Sequence, residues 1–137
     1  MEVDLTPDQR AFVRQAIDSG RILREEDAEI LRDHPHITNL GDSIETFADT
    51  AAIISTLDLV LSVDTSVVHL AGALGKPVWV MLPFVPDWRW LLDRNDSPWY
   101  PTARLFRQSE PGEWTSVVGD VGRELQSFQE GFRISGN

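Results

Sequence analysis

Cysteine is absent from the 137 residues, which excludes disulfides, thiolate nucleophiles and cysteine-ligated zinc. Histidine is nearly absent too: His34, His36 and His69 have no metal-cage spacing, so neither a metal nor a cofactor is expected. Cations are in the minority. Twelve Lys and Arg stand against 22 Asp and Glu, a formal net charge of −10, which disfavours non-specific attraction to nucleic acid or to an anionic membrane. An anionic ligand would therefore need a local device. No apolar run approaches the roughly 18 residues that span a bilayer. Met1 is followed by acidic Glu2 and Asp4 rather than a basic leader, so no membrane span and a cytoplasmic location are expected. What is present is an ordinary globular balance, 42% hydrophobic and 25% charged, at a length typical of one small domain.

The chain changes character near residue 34. Residues 1–33 carry nine acids and five bases and read as a short strand, Glu2–Leu5, followed by two helices. Thr6 and Pro7 suit the N-cap and first position of the first helix, Phe12, Val13, Ala16 and Ile17 form its apolar stripe, and Gly20 ends it. The second helix is predicted over Glu25–Arg32, and His34-Pro35 interrupts it. Residues 35–128 then alternate strand and helix, the signature of an α/β fold with a parallel, Rossmann-like sheet and crossover helices. Strands are predicted at Ile37–Leu40, Leu57–Val63, Val78–Leu82 and Ala103–Phe106. Helices are predicted at Thr50–Thr56, capped by Asp49, at Ser66–Leu74, closed by Gly75, and at Trp114–Phe128. The last helix sets Trp114, Val117, Val118, Val121 and Leu125 on one side, and residues 129–137 read as a frayed tail.

Two stretches carry chemistry. Ser62–Pro83 (SVDTSVVHLAGALGKPVWVMLP) places Asp64, Thr65 and Ser66 between the carboxyl end of a buried strand and the start of a helix, where open parallel sheets bind ligands. The free N–H groups of a first helical turn, with the Thr65 and Ser66 hydroxyls, can hold a phosphate without any basic residue. Asp64 would repel phosphate and suits sugar hydroxyls instead. The plainer alternative makes Asp64 or Thr65 a simple N-cap. His69, three residues beyond Ser66, shares roughly its helix face and is either a packed residue or part of the site. Pro83–Arg107 (PFVPDWRWLLDRNDSPWYPTARLFR) concentrates Trp88, Trp90, Trp99 and Tyr100 among Arg89, Arg94 and Arg104. Trp88, Arg89 and Trp90 could stack on a base or a sugar, or the rings could merely cover the sheet edge while Arg89 and Arg94 pair with Asp87, Asp93 or Asp96.

The segments FADTAAIISTLDLVLSVDTSVVHLAGALGKPVWVMLP and PDWRWLLDRNDSPWYPTARLFRQ resemble the C-terminal part of bacterial glycosyltransferase family 9, the heptosyltransferase-like enzymes, especially versions attached to tetratricopeptide repeats. The resemblance covers Ile37 to Leu125 and implies the donor-binding lobe of a two-lobed GT-B enzyme transferring a hexosyl or heptosyl group. In the family's donor motif of Asp, Thr or Ser, Gly, two variable residues and His, the matching positions are Asp64, Thr65 and His69. It implies a nucleotide-diphosphate sugar as ligand, with Asp64 on sugar hydroxyls, Thr65 on the diphosphate and His69 on the donor side. Ser66 stands where heptosyltransferases have glycine. The resemblance further implies that the acceptor lobe and its carboxylate base are missing, so the chain is expected to bind donor as a truncated lobe with no catalytic residue of its own.

Residues 1–28 are similar to the opening of ParD-type ribbon-helix-helix antitoxins, in which a strand pairs in a dimer and enters DNA. Glu2 and Asp4 on that ribbon would repel phosphates, which argues against DNA binding. The rival expectation is thus a non-catalytic interaction protein, a homodimer through residues 1–28 with the Rossmann half as scaffold.

Overall fold

The computed structural model describes residues 11–13, 29, 32–35 and 37–135, with the backbone alone at 11–13. Three five-residue strands make a parallel sheet flanked by helices: β2 (Leu59–Val63), β3 (Val78–Leu82) and β4 (Ala103–Arg107). A three-residue strand, β1 (Ala11–Val13), pairs parallel with β2 through Ala11–Leu59 and Val13–Leu61, completing the order β1-β2-β3-β4. The register runs Val60–Val78 between β2 and β3 and Val78–Ala103 between β3 and β4.

The α/β expectation holds because the strands are apolar on both faces, as a covered parallel sheet requires. Val60, Val78, Val80, Leu82, Ala103 and Leu105 point to a core shared with α1 (Phe47–Ser55) and α2 (Ser66–Ala73). Leu59, Leu61, Trp79 and Phe106 point the opposite way, against Val117, Val121 and Leu125 of α3 (Thr115–Ser135). α2 connects β2 to β3 in the crossover position, and the irregular segment of residues 83–102 connects β3 to β4.

Several boundaries differ from expectation. Phe12 and Val13 lie in a strand rather than on a helical stripe; parallel pairing closes the open edge of β2, and both residue types favour extended backbone. That edge being occupied, Ile37–Leu40 forms no strand: Ile37 is 46% exposed and Leu40 leads into a 3-10 turn at Gly41–Ser43. Of the second expected helix, Glu29 and Arg32 are helical, as is Asp33. The strand at Glu2–Leu5, the Thr6 cap and Gly20 lie outside the described residues.

α1 begins earlier than expected, and its N-cap is Thr46, not Asp49. Thr46 Oγ1 accepts from the Asp49 N–H at 3.2 Å, while Asp49 Oδ2 accepts from the Thr46 N–H at 2.7 Å, a reciprocal capping box. α2 ends as expected at Gly75, whose φ of +68° suits glycine. There the Lys76 N–H donates to the Ala71 carbonyl and Gly75 N–H to Gly72, so the last carbonyls are satisfied. On α3 the buried stripe is Val117, Val121 and Leu125, at intervals of four. Val118 is 58% exposed, and the helix continues to Ser135 through residues read as frayed.

Candidate functional site

β2 delivers the chain from a fully buried sheet centre into the turn Asp64-Thr65, and α2 starts at Ser66. Thr65 has the extended N-cap conformation, φ −148° and ψ 174°, yet its side chain makes no capping hydrogen bond. Its Oγ1 instead lies 3.3 Å from the Oγ of buried Ser62. Val68 N–H returns to the Thr65 carbonyl at 3.1 Å, so the N–H groups of Ser66 and Val67 precede the first intrahelical bond. With Ser66 exposed and no side-chain bond from Thr65 to the helix, the start of α2 presents the positive pole of the helix toward the solvent at Ser66. Thr65 is the N-cap of α2 by its backbone, as the plainer alternative has it, but it makes no side-chain cap bond, and Asp64 faces His69.

His69 is the junction of the site. Its Nε2 is 3.5 Å from Asp64 Oδ1, and its Nδ1 is 3.0 Å from the Tyr100 hydroxyl. The imidazole stacks on Trp90, with ring centroids 5.4 Å apart and planes 24° from parallel, and meets Tyr100 edge-on at 5.7 Å. Tyr100 reaches α2 because position 72 is glycine: a Cβ there would lie 2.5 Å from Tyr100 Cγ. The signal in the sequence was a glycine inside a helix rather than at its end, where it costs about 1 kcal/mol against alanine.

The loop after β3 supplies the remaining walls. Asp87 opens a 3-10 turn at Trp88–Trp90, its Oδ1 accepting from the Arg89 N–H at 3.0 Å and from Arg89 Nη1 at 2.9 Å. The backbone donor is the chief cause holding the Asp87 carboxyl below the usual carboxylate range; burial opposes it, and the Arg89 guanidinium assists. That guanidinium also lies over the Trp88 ring, 4.9 Å from its centroid. Trp99 Nε1 donates to the Arg89 carbonyl at 3.0 Å, which folds the loop back on itself. Leu91 (φ 55°, ψ −164°) and Asp93 (φ 55°) hold backbone conformations that side chains rarely adopt. Arg107 clamps this strained stretch from β4, donating through Nη2 to Trp90 O at 2.5 Å and through Nε to Arg94 O at 2.9 Å. Burial lowers its pKa from the ordinary guanidinium value.

His69, Trp88, Arg89, Trp90, Trp99 and Tyr100 line an open pocket of about 250 Å³. The structure thus brings His69, Trp88, Arg89 and Trp90 together, with Asp64 joined through His69 and with Thr65 and Ser66 on the adjoining turn. Trp90 is 1% exposed and belongs to the core, so its ring supports His69; Trp88 and Trp99 are 68% and 58% exposed. The pairing alternative for the charges also holds, since Arg89 bonds Asp87 and Arg94 bonds Asp96 at 2.6 Å. Arg104 lies on the other sheet face, bonded to Glu124 at 2.8 Å and set over Trp79 and Phe106. The pocket's tethers at Gly72 and Arg107 were not singled out in the sequence.

Among known proteins, residues 24–81 match the family model of glycosyltransferase family 9 (heptosyltransferase), a span that holds α1, β2, α2 and β3 as far as Met81. The chain is also similar to Protein FlbA of Caulobacter vibrioides, 35% identical over 80 residues, which is 58% of this chain and 13% of FlbA. The chain therefore spans only a small part of that curated relative. No solved structure gives a significant match. Among the described residues no helix is long and apolar enough to cross a membrane.

Proposed function

We propose that this chain binds a nucleotide-diphosphate sugar as the donor-side part of a family 9-like glycosyltransferase, and that binding rather than turnover is its own activity. The diphosphate sits at the N-terminus of α2 on Ser66 and Val67 N–H groups and the Thr65 hydroxyl. Asp64 faces sugar hydroxyls, and Trp88 and Arg89 border a ring of the ligand, with Trp90 behind them supporting His69. The observation that carries the reading is the Thr65 turn inside the family-matched segment, where the cap side chain leaves the helix donors free. Arg89, Arg94, Arg104 and Arg107 all bond acceptors of this same chain, so a helix end is the better-suited phosphate site. Transfer also needs a free base opposite the leaving group, and the carboxylates joined to the cavity's lining residues, Asp64 and Asp87, face His69 and Arg89. In the full reaction this part would stabilise the departing diphosphate.

Isothermal titration calorimetry with UDP, ADP, GDP and their sugar conjugates tests the reading. The expected result is binding of at least one, with amide shifts at Thr65 to Val68 and no release of free nucleotide from the sugar conjugate. Absence of both heat and amide shifts sinks the binding claim, and release of nucleotide sinks the restriction to binding.

A further inference from the structure

We infer that Tyr100 is a positioning residue that acts through His69, fixing the imidazole as the Nε2–H tautomer with that N–H directed at Asp64. A neutral imidazole has one N–H and one lone pair, so its two contacts must have opposite polarity. Were Nε2 the bare nitrogen, its lone pair would face a carboxylate oxygen at 3.5 Å, a repulsive arrangement. The proton therefore belongs on Nε2, and Nδ1 accepts from the Tyr100 hydroxyl at 3.0 Å. Asp64, an acceptor only, sets the polarity, though at 3.5 Å it does so weakly. The Tyr100 hydroxyl, a better donor than acceptor, reinforces the same tautomer from the other side of the ring over a shorter, part-buried contact.

The supports of Tyr100 show how this orientation is maintained. The Ser97 hydroxyl accepts from the Tyr100 N–H at 3.3 Å, and the ring occupies the space that Gly72 leaves empty. Stacking on Trp90, whose burial is almost complete, fixes the plane of the imidazole while Tyr100 fixes its rotation within that plane. A loop residue beyond the family-matched segment thereby sets which face of a residue within it is presented to the turn. This device does not depend on what the turn binds.

Long-range ¹⁵N–¹H correlation spectra of the free protein test it, at a pH where His69 is neutral. Wild type should show a protonated Nε2 and a bare, hydrogen-bonded Nδ1 at His69. Tyr100→Phe keeps the ring and removes the hydroxyl, and should reduce the tautomer ratio by about twofold to about tenfold, the worth of one such bond. Gly72→Ala, which displaces the ring, should move the ratio the same way. The inference is overturned if wild type carries the proton on Nδ1, or if Tyr100→Phe leaves the ratio and the Nδ1 resonance unchanged. Should both variants fail to fold, the wild-type Nδ1 resonance still decides: the upfield position of a nitrogen accepting a hydrogen bond supports the inference, and the position of a free bare nitrogen overturns it. Because no ligand is present, failure of this inference leaves donor binding standing, and failure of donor binding leaves this one standing.

Discussion

At position 72 a methyl group would lie 2.5 Å from Tyr100 Cγ and 2.6 Å from Cδ1, far inside van der Waals contact. Two opposing effects decide the outcome of Gly72→Ala. Replacing a helical glycine by alanine is favourable by about 1 kcal/mol, whereas forcing volume into a packed site costs about 1 to 3 kcal/mol. The clash wins, and we expect a net destabilisation of about 1 kcal/mol in urea unfolding; a stabilised variant would show that Tyr100 yields freely. At this scale the sequence was informative about type and weak about contact. Asp64, Thr65 and His69 could be picked out because a buried strand, a turn and a helix follow one another within a few residues. Gly72 could not, because its partner is 28 residues away and a helix-interior glycine reads simply as a weak helix former. Trp90 and Trp88 sit two residues apart with opposite fates, one in the core and one in the solvent, which no local pattern distinguishes.

Among the elements, α1 illustrates a boundary set by side-chain chemistry rather than by hydrophobic period. Thr46, Phe47, Ala48 and Asp49 spell a capping box, but Asp49 itself is an equally good N-cap residue, so the apolar run beginning at Thr50 favoured the later start. The Asp49 carboxylate accepts from the Thr46 hydroxyl and from the N–H groups of Thr46 and Glu45, and these bonds hold its pKa below the ordinary value. A depressed folded-state pKa means that the stabilisation is fully present above the unfolded-state pKa and is lost as pH falls through the folded one. The melting temperature of Asp49→Ala should therefore lie below that of wild type at neutral pH, and the gap should close in acid. A gap that persists at a pH where Asp49 is protonated in both the folded and the unfolded chain would refute the assignment. Thr46→Ala should cost about 1 kcal/mol by loss of the cap.

For the whole molecule, the parallel α/β plan was legible because LDLVLSV and VWVML are short apolar runs, bounded by polar residues or turns and alternating with helical segments, as strands covered on both faces are. The position of β1 was not: three residues, Ala11–Val13, fit a helical stripe or a strand equally well, and only the vacancy at the β2 edge decides between them. The sheet then sorts the five tryptophans between two environments. Trp79 and Trp90 are 6% and 1% exposed, on opposite faces of the sheet, whereas Trp88, Trp99 and Trp114 are 68%, 58% and 38% exposed. The molecule consequently contains two optical populations. A collisional quencher such as acrylamide should extinguish the red-edge emission of the three outer indoles and leave the blue-edge emission of the inner pair. Of the outer three, Trp88 and Trp99 border the cavity and Trp114 does not. Occupancy of the cavity should therefore be readable as shielding of two indoles out of three, with Trp114 as the internal standard.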